Sequence, residues 1–287
     1  MTIYCELKKI ISAVTTREGA GFEVQRAFPT QHLSEWDPIL LIDEHGPVDC
    51  APNEAIGAPA HPHRGFETIS YLLEGHIIHR DSLGNIGELK SGGVQWVQAG
   101  SGMVHEELPH PDFLTRGGRM HGFQVWLNLP PKFKMSPPNC EHFTSEQIPV
   151  CTLSNQSGTV KVIAGAFLNM SGPVDTRSNV QLYDITLKEK TDIIIPTATH
   201  SRSMLYLYQG QAQLGSHSIT SRQLAVFESG EAVQINASSR QPMRALFFSG
   251  LPYNAPIARY GPFVMNNHIE LADAFADYQA GKMGTLD

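Results

Sequence analysis

Two closely spaced pairs of metal-ligating residue types mark the chain: His61-Pro62-His63 and His105-Glu106-Glu107. In an extended strand, residues i and i+2 share a face. His61 and His63 therefore stand side by side, where one ion can take both imidazoles. Pro62 donates no N–H, which suits a strand edge, a bulge or a cavity mouth, and it holds His61 extended. In the second pair His105 and Glu107 share a face while Glu106 points away. Gly100 and Gly102, just before, permit a tight turn or a close backbone approach. If the two segments face each other across a barrel interior, three imidazoles and one carboxylate converge. That donor set suits a divalent transition ion with open coordination positions. On Fe(II) it leaves a net positive charge and room for water, O₂ or a bidentate pair of substrate oxygens.

Spacing alone leaves the fourth ligand open between Glu107 and Glu67. Glu67 follows His63 by four residues, so it shares that face if the strand is regular. Gly65 lies between them and can bulge the strand and reverse the parity. Glu67 then becomes an acceptor for an imidazole N–H rather than a ligand. His79-Arg80-Asp81 repeats the same spacing without a second pair and reads as a solvated hairpin edge. His121 opens an apolar run and reads as a satisfied core or edge histidine. His76, His110, His142, His217 and His268 carry no usable pattern. Cys5, Cys50, Cys140 and Cys151 form no Cys-x-x-Cys pair and no zinc-knuckle spacing, so they read as free thiols of a reducing compartment.

The elements that must position these residues are short strands. ETISYLLEG (67–75), FQVWLNL (123–129), VKVIAGAF (160–167), VQLYDITL (180–187), MLYLYQG (204–210) and QLAVFESG (223–230) are rich in β-branched and aromatic residues and bounded by turn formers. The four prolines of NLPPKFKMSPPNCEHF (128–143) disfavour regular structure and suggest a linker, with a domain boundary near 131–150. The expected domains are 1–135, with the metal site, and 136–287, without one. One helix is expected over 269–284, where Leu271, Ala274, Phe275 and Tyr278 recur at helical spacing and Gly281 can close it. YLLEG at 71–75 matches YLYQG at 206–210, and 92–105 aligns with 222–235, which suggests two similar β-domains. By those shifts His61, His63, His105 and Glu107 fall on Pro196, Ala198, Ile235 and Ala237. None of these can ligate through its side chain, and the nearby His200 stands alone, so the second domain is expected to hold no comparable site.

Composition narrows the function. A chain of 287 residues, 41% of them hydrophobic, can bury a real core, and its net charge of −7 with no Lys/Arg run gives no grip on phosphates. Direct nucleic-acid binding is not expected. No stretch has the length of a membrane span or a signal peptide, so a soluble cytoplasmic protein is the expectation.

Together HPHRGFETISYLLEG (61–75), QWVQAGSGMVHEE (95–107), HGFQVWLNLP (121–130), GPFVMN (261–266) and DPILLIDEHGP (37–47) closely resemble the pirin family. The resemblance implies an all-β bicupin: two face-to-face jelly-roll barrels with a short C-terminal helix and one metal in the N-terminal barrel. It implies His61, His63, His105 and Glu107 as the ligands, which leaves Glu67 outside the metal. Two departures from general cupin spacing, an extra residue between Glu67 and Gly75 and Ala99-Gly100 in place of a proline, touch none of the four. The implied cofactor is one divalent ion, Fe(II) first, with Ni, Mn, Cu or Zn as alternatives. The implied activity is quercetin 2,3-dioxygenase-like cleavage of a flavonol by O₂; in that reaction Glu107 is expected to serve as general base if it swings off the metal. The family also includes metal-dependent, redox-sensing regulators that bind transcription or metabolic partners, and a purely structural metal is the third reading.

Overall fold

The computed structural model describes residues 2–238 and 241–286. It is almost entirely antiparallel sheet and divides into two compact units. One unit contains residues 15–26, 39–146 and 253–287; the other contains 1–14, 27–38 and 147–252. The chain therefore does not cut once into sequential halves. Its first residues belong with the later unit, and its C-terminal helix His268–Gln279 belongs with the earlier one.

The unit that holds His61, His63 and His105 is built on two sheets. The larger runs in the order Asn139–Phe143, Val94–Gln98, Phe66–Glu74, Gly118–Asn128, Ile39–Cys50, Phe22–Phe28, Val14–Glu18. The smaller runs Ala58–His63, Met103–Pro109, His76–Asp81, Ile86–Lys90. The proposed linker is thus half wrong. Pro137 and Pro138 hold the chain extended only up to Asn139, and Asn139–Phe143 then pairs with Val94–Gln98 as an edge strand. Prolines that flank a strand do not interrupt its ladder.

The other unit repeats this plan. Its large sheet places Gln223–Phe227, Arg202–Gln209, Met243–Gly250, Gln181–Leu187 and Gly158–Ala164 in the same succession. Its small sheet runs Asp192–Pro196, Ala232–Ala237, Gln211–Leu214, His217–Thr220. YLLEG and YLYQG thus occupy equivalent central strands. The interior where ligands would stand is hydrocarbon: Ile193, Ile195, Val233, Ile235 and Ala237 join one buried apolar cluster.

The C-terminal helix starts at Asn267, whose side chain accepts from the Glu270 N–H, and it buries Leu271 and Ala274. Arg64 reaches it, donating to Asp277 Oδ2 at 2.9 Å and to the Ser101 carbonyl at 2.7 Å. No helix among the described residues is long and apolar enough to cross a membrane.

Candidate metal centre

Strand register brings the predicted residues together. His105 sits directly opposite His61 on one side and Asp81 on the other, and Glu107 sits opposite Ala58 and His79. A bulge between His105 and Glu107 is absorbed on the Ala58–His63 side. Direct cross-strand neighbours share a face, so His61, His105, Asp81, Glu107 and His79 all turn inward.

The imidazoles of His61, His63 and His105 meet nitrogen to nitrogen. His61 Nε2 lies 3.1 Å from His63 Nε2 and 2.9 Å from His105 Nε2. The carbonyls around them fix the tautomers. His61 Nδ1 is 2.7 Å from the Pro59 oxygen and His63 Nδ1 is 3.4 Å from the Pro262 oxygen. A carbonyl only accepts, so Nδ1 carries the proton in both rings and each Nε2 presents a lone pair. Two lone pairs 3.1 Å apart cannot hydrogen-bond to each other. Burial first, and then the neighbouring imidazoles, hold His63 and His105 well below the ordinary histidine range, so neither relieves the contact by protonating. A cation bound by the three nitrogens would relieve it, and this donor set fits a transition ion.

Glu107 lines the same cavity as His61 and His63 but is not part of that three-nitrogen group. Its Oε1 accepts from Ser70 Oγ at 2.9 Å and from Gln95 Nε2 at 2.8 Å. Its Oε2 accepts from Gln124 Nε2 at 3.2 Å. An ionised carboxylate has about four acceptor sites, so one site on Oε2 remains for a metal or a substrate proton.

Glu67 faces elsewhere. Gly65, at φ +87°, ends one strand at His63 before the next starts at Phe66. That break reverses the parity. Glu67 is three residues from Ser70, so the two occupy opposite faces. Ser70 reaches Glu107, whereas Glu67 is fully buried and accepts from Trp96 Nε1 at 3.3 Å. A side chain at position 65 would drive a Cβ to 2.0 Å from the Val264 oxygen, so the turn needs glycine.

The reading of His79-Arg80-Asp81 as a solvated edge is overturned. His79 is 0% exposed, and its Nε2 lies 3.2 Å from Asp81 Oδ2 and 3.5 Å from Cys140 Sγ. Only Arg80 points out, to Glu106. His142 also comes in, through the edge strand that was taken for linker. His121 is a satisfied buried residue, as expected, 2.8 Å from Glu44 Oε1. His76 and His110 stack at 3.8 Å near Glu88. Sequence reasoning also missed Ser70, Gln95 and Gln124, which orient Glu107; their one signal is strand parity with residues already known to face inward.

Above the imidazoles lies a cavity of about 630 Å³. Phe22, Leu41, Phe123 and Trp126 give it flat apolar walls, and Arg26 and Arg259 bring positive charge. Arg26 is held by Asp43, with Nε to Oδ1 at 2.9 Å and Nη2 to Oδ2 at 2.6 Å, and by Glu18.

The pirin model matches residues 21–127, and the model of the pirin C-terminal cupin domain matches residues 182–284. The chain belongs to the pirin family. A Vibrio cholerae member, provisionally named a quercetin 2,3-dioxygenase, is 38% identical over 99% of this chain and 100% of its own. The crystal structure of a quercetin 2,3-dioxygenase from Acinetobacter baumannii superposes with a TM-score of 0.92 at 29% identity, covering 99% of this chain and 100% of that one. A bacterial pirin from Escherichia coli, solved in complex with nickel(II), has a TM-score of 0.65 at 19% identity, covering 85% of this chain and 99% of that one. That last likeness is one of fold. The two cupin units and the all-β architecture are thus family features.

Proposed function

We propose that this pirin is a metal-dependent dioxygenase that cleaves the ring of a flavonol such as quercetin, using Fe(II) held by His61, His63, His105 and Glu107. The observation that carries the proposal is the convergence of three imidazole Nε2 atoms, two of them presenting lone pairs, beside a cavity of about 630 Å³ with flat aromatic walls. Kinship with proteins named quercetin 2,3-dioxygenase supports the substrate class and O₂ as co-substrate. Iron rests on the resemblance to the pirin family, because the donor set would also accept Ni, Mn, Cu or Zn. The ion would supply Lewis acidity toward a substrate hydroxyl and electron exchange with O₂.

The chain's own residues do the rest. Phe123 and Trp126 offer faces and edges to a planar polyphenol. Glu107 Oε2, the oxygen with a vacant acceptor site, takes the proton of the hydroxyl that enters the centre. Oε2 is also the atom through which Glu107 would hold the ion, and Ser70 and Gln95 keep the carboxylate in place by binding Oε1. Four free cysteines fit a reducing compartment such as the cytoplasm.

The test is metal analysis of protein purified without added metal, followed by anaerobic mixing of the iron form with quercetin and admission of air. Loss of the flavonol's visible absorbance above a His61→Ala control is expected. No loss above that control refutes the activity.

A further inference from the structure

Next to the imidazole triad, and separate from it, lies a second group of donors: His79 on the His76–Asp81 strand, and Cys140 and His142 on the Asn139–Phe143 strand, with Asp81 beside His79. We propose that His79, Cys140 and His142, with Asp81 beside His79, form a second metal site, for Zn(II) or a similar ion that accepts thiolate and prefers a tetrahedron. Nothing in the dioxygenase reading uses these side chains.

Two of the separations match those of donors around one ion, and the third is a few tenths of an ångström longer. With bonds of about 2.0–2.1 Å to nitrogen or oxygen and about 2.3 Å to sulfur, the edges of a zinc tetrahedron come to about 3.5 Å for nitrogen–sulfur and about 3.3 Å for nitrogen–oxygen. Here His79 Nε2 is 3.5 Å from Cys140 Sγ and 3.2 Å from Asp81 Oδ2, and Cys140 Sγ is 3.9 Å from His142 Nδ1. One nitrogen thus has two neighbours, although it carries only one proton or one lone pair.

A chain of forced assignments fixes the His142 tautomer. The Glu107 carboxylate only accepts, so the Gln95 atom 2.8 Å from it is the amide nitrogen. The Gln95 amide oxygen then faces His142 Nε2 at 2.9 Å, so Nε2 carries the proton. Nδ1 is left with a lone pair aimed toward the thiol. A ring that donates one N–H to an acceptor and offers its other nitrogen is the pattern of a metal-bound histidine. Asp81 is held in the same manner: Oδ1 accepts from the Leu83 and Asn85 backbone N–H groups, and Oδ2 accepts from Asn85 Nδ2. One acceptor site of Oδ2 is left facing His79. The His142 ring is seated against Gly87, where a Cβ would come within 2.2 Å of it.

A cysteine–histidine–aspartate nucleophile is a poorer account. Such a relay needs thiol and carboxylate on opposite ring nitrogens, but here both face His79 Nε2. His79 Nδ1 is buried with no hydrogen-bond partner. A purely hydrogen-bonded cluster remains as the alternative, with Nε2–H donating to Asp81 and the thiol reaching His142 across 3.9 Å.

Cobalt(II) distinguishes the two, because among these donors only Cys140 supplies sulfur and the imidazole triad has none. The full chain, stripped with chelator and kept reduced, is titrated with Co(II). The expected result is about two equivalents bound, one of them accompanied by a thiolate-to-cobalt charge-transfer band. Cys140→Ser should abolish the band and bring the stoichiometry to about one, and His142→Ala, at a half-buried edge, should do the same. His61→Ala should lower the stoichiometry but keep the band, so this site stands or falls apart from the dioxygenase reading. Should the serine variant fail to fold, alkylation of the parent chain decides: Zn(II) should slow modification of Cys140 by at least about tenfold and leave Cys5 and Cys50 unchanged. No thiolate band in the parent chain, or no protection of Cys140, overturns the proposal.

Discussion

Replacing Lys134 by methionine should loosen the metal centre without touching a ligand. Lys134 is 1% exposed, and its ammonium uses three hydrogen bonds: to the Gly65 carbonyl at 2.8 Å, Asn128 Oδ1 at 2.7 Å and the Val264 carbonyl at 3.0 Å. These bonds pin the turn that reverses parity between His63 and Glu67 to the strand Gly118–Asn128 and to the strand Phe263–Met265. Hydrogen bonds to a charged group contribute about 1.5–3 kcal/mol each. Against them stands the desolvation of a buried ammonium, several kcal/mol, which methionine does not incur. The balance is a loss of about 2–4 kcal/mol. At about 2–4 °C per kcal/mol for a domain of this size, the melting temperature of the metal-free protein should fall by about 4–16 °C. A looser Gly65 turn lets His63 drift, so metal affinity at the imidazole triad should fall by about 10–100-fold, the range for removing a group that orients a ligand. Arginine should not rescue, because its planar fork cannot aim three donors along these directions. Thermal melts of the stripped chains and competition titrations with a chromogenic chelator measure both quantities. A melting temperature within about 2 °C of the parent together with unchanged affinity would refute the idea that this lysine clamps the centre.

Other outcomes follow from the same geometry. Glu107→Gln should lower flavonol turnover by about 10²–10⁴-fold, the usual worth of a general base. It should also cost about 1–3 kcal/mol, because an amide NH₂ must then face one of the donors Ser70, Gln95 and Gln124; equal turnover in stopped assays would count against the role. His61→Ala should remove one ion from the purified protein, yet its stripped form should melt no lower than the stripped parent, since the change deletes a lone-pair contact at 3.1 Å; a large drop would mean the imidazole contact is stabilising by itself. The metal-free protein should lose stability as the pH falls below about 6.5. Burial, aided by neighbouring histidines, lowers His45 and His142 to about 4 and holds His63 and His105 well below the ordinary value. The unfolded chain takes up these protons first, so their contribution is complete above pH 6.5 and declines by up to about 1.4 kcal/mol per pH unit for each histidine as the pH drops toward 4. Urea midpoints at pH 7, 6 and 5 measure the slope, and a flat profile contradicts it.

How much of this the residues announced depends on whether they obey local periodicity. The two His/Glu pairs were legible because i, i+2 spacing on a strand holds whatever the rest of the fold does. The repeat was legible because YLLEG and YLYQG fill equivalent central strands, whose buried residues Tyr71, Leu72, Tyr206 and Leu207 leave little freedom in apolar identity. The elements that misled were those set by non-local pairing. Nothing in NLPPKFKMSPPNCEHF says that its last five residues find the edge at Val94–Gln98, since an edge strand needs only one neighbour and tolerates prolines beside it. His79 looked solvated for the same reason: the inward turn of His79 and Asp81 follows from their pairing with Glu107 and His105, which lie more than twenty residues away.

The choice between Glu67 and Glu107 turns on one backbone position. Had residues 63–67 run as a continuous strand, Glu67 would have shared the His63 face and competed for the centre. Gly65, at φ +87°, makes that continuity impossible: its N–H is given to the Gly100 carbonyl at 2.9 Å and its own carbonyl to Lys134. The break sends Glu67 to Trp96 and leaves the inward face of the next strand to Ser70, a hydroxyl that can only support a carboxylate arriving from elsewhere. Glu107 arrives from a strand whose register is fixed on both sides, by Ala58 and by His79. The Glu107 carboxylate is therefore held by donors from three other strands, through Ser70, Gln95 and Gln124. One of those donors, Gln95, is itself oriented by His142. Any event at the Cys140 cluster that turns the His142 ring must then be felt at Glu107 through a single amide.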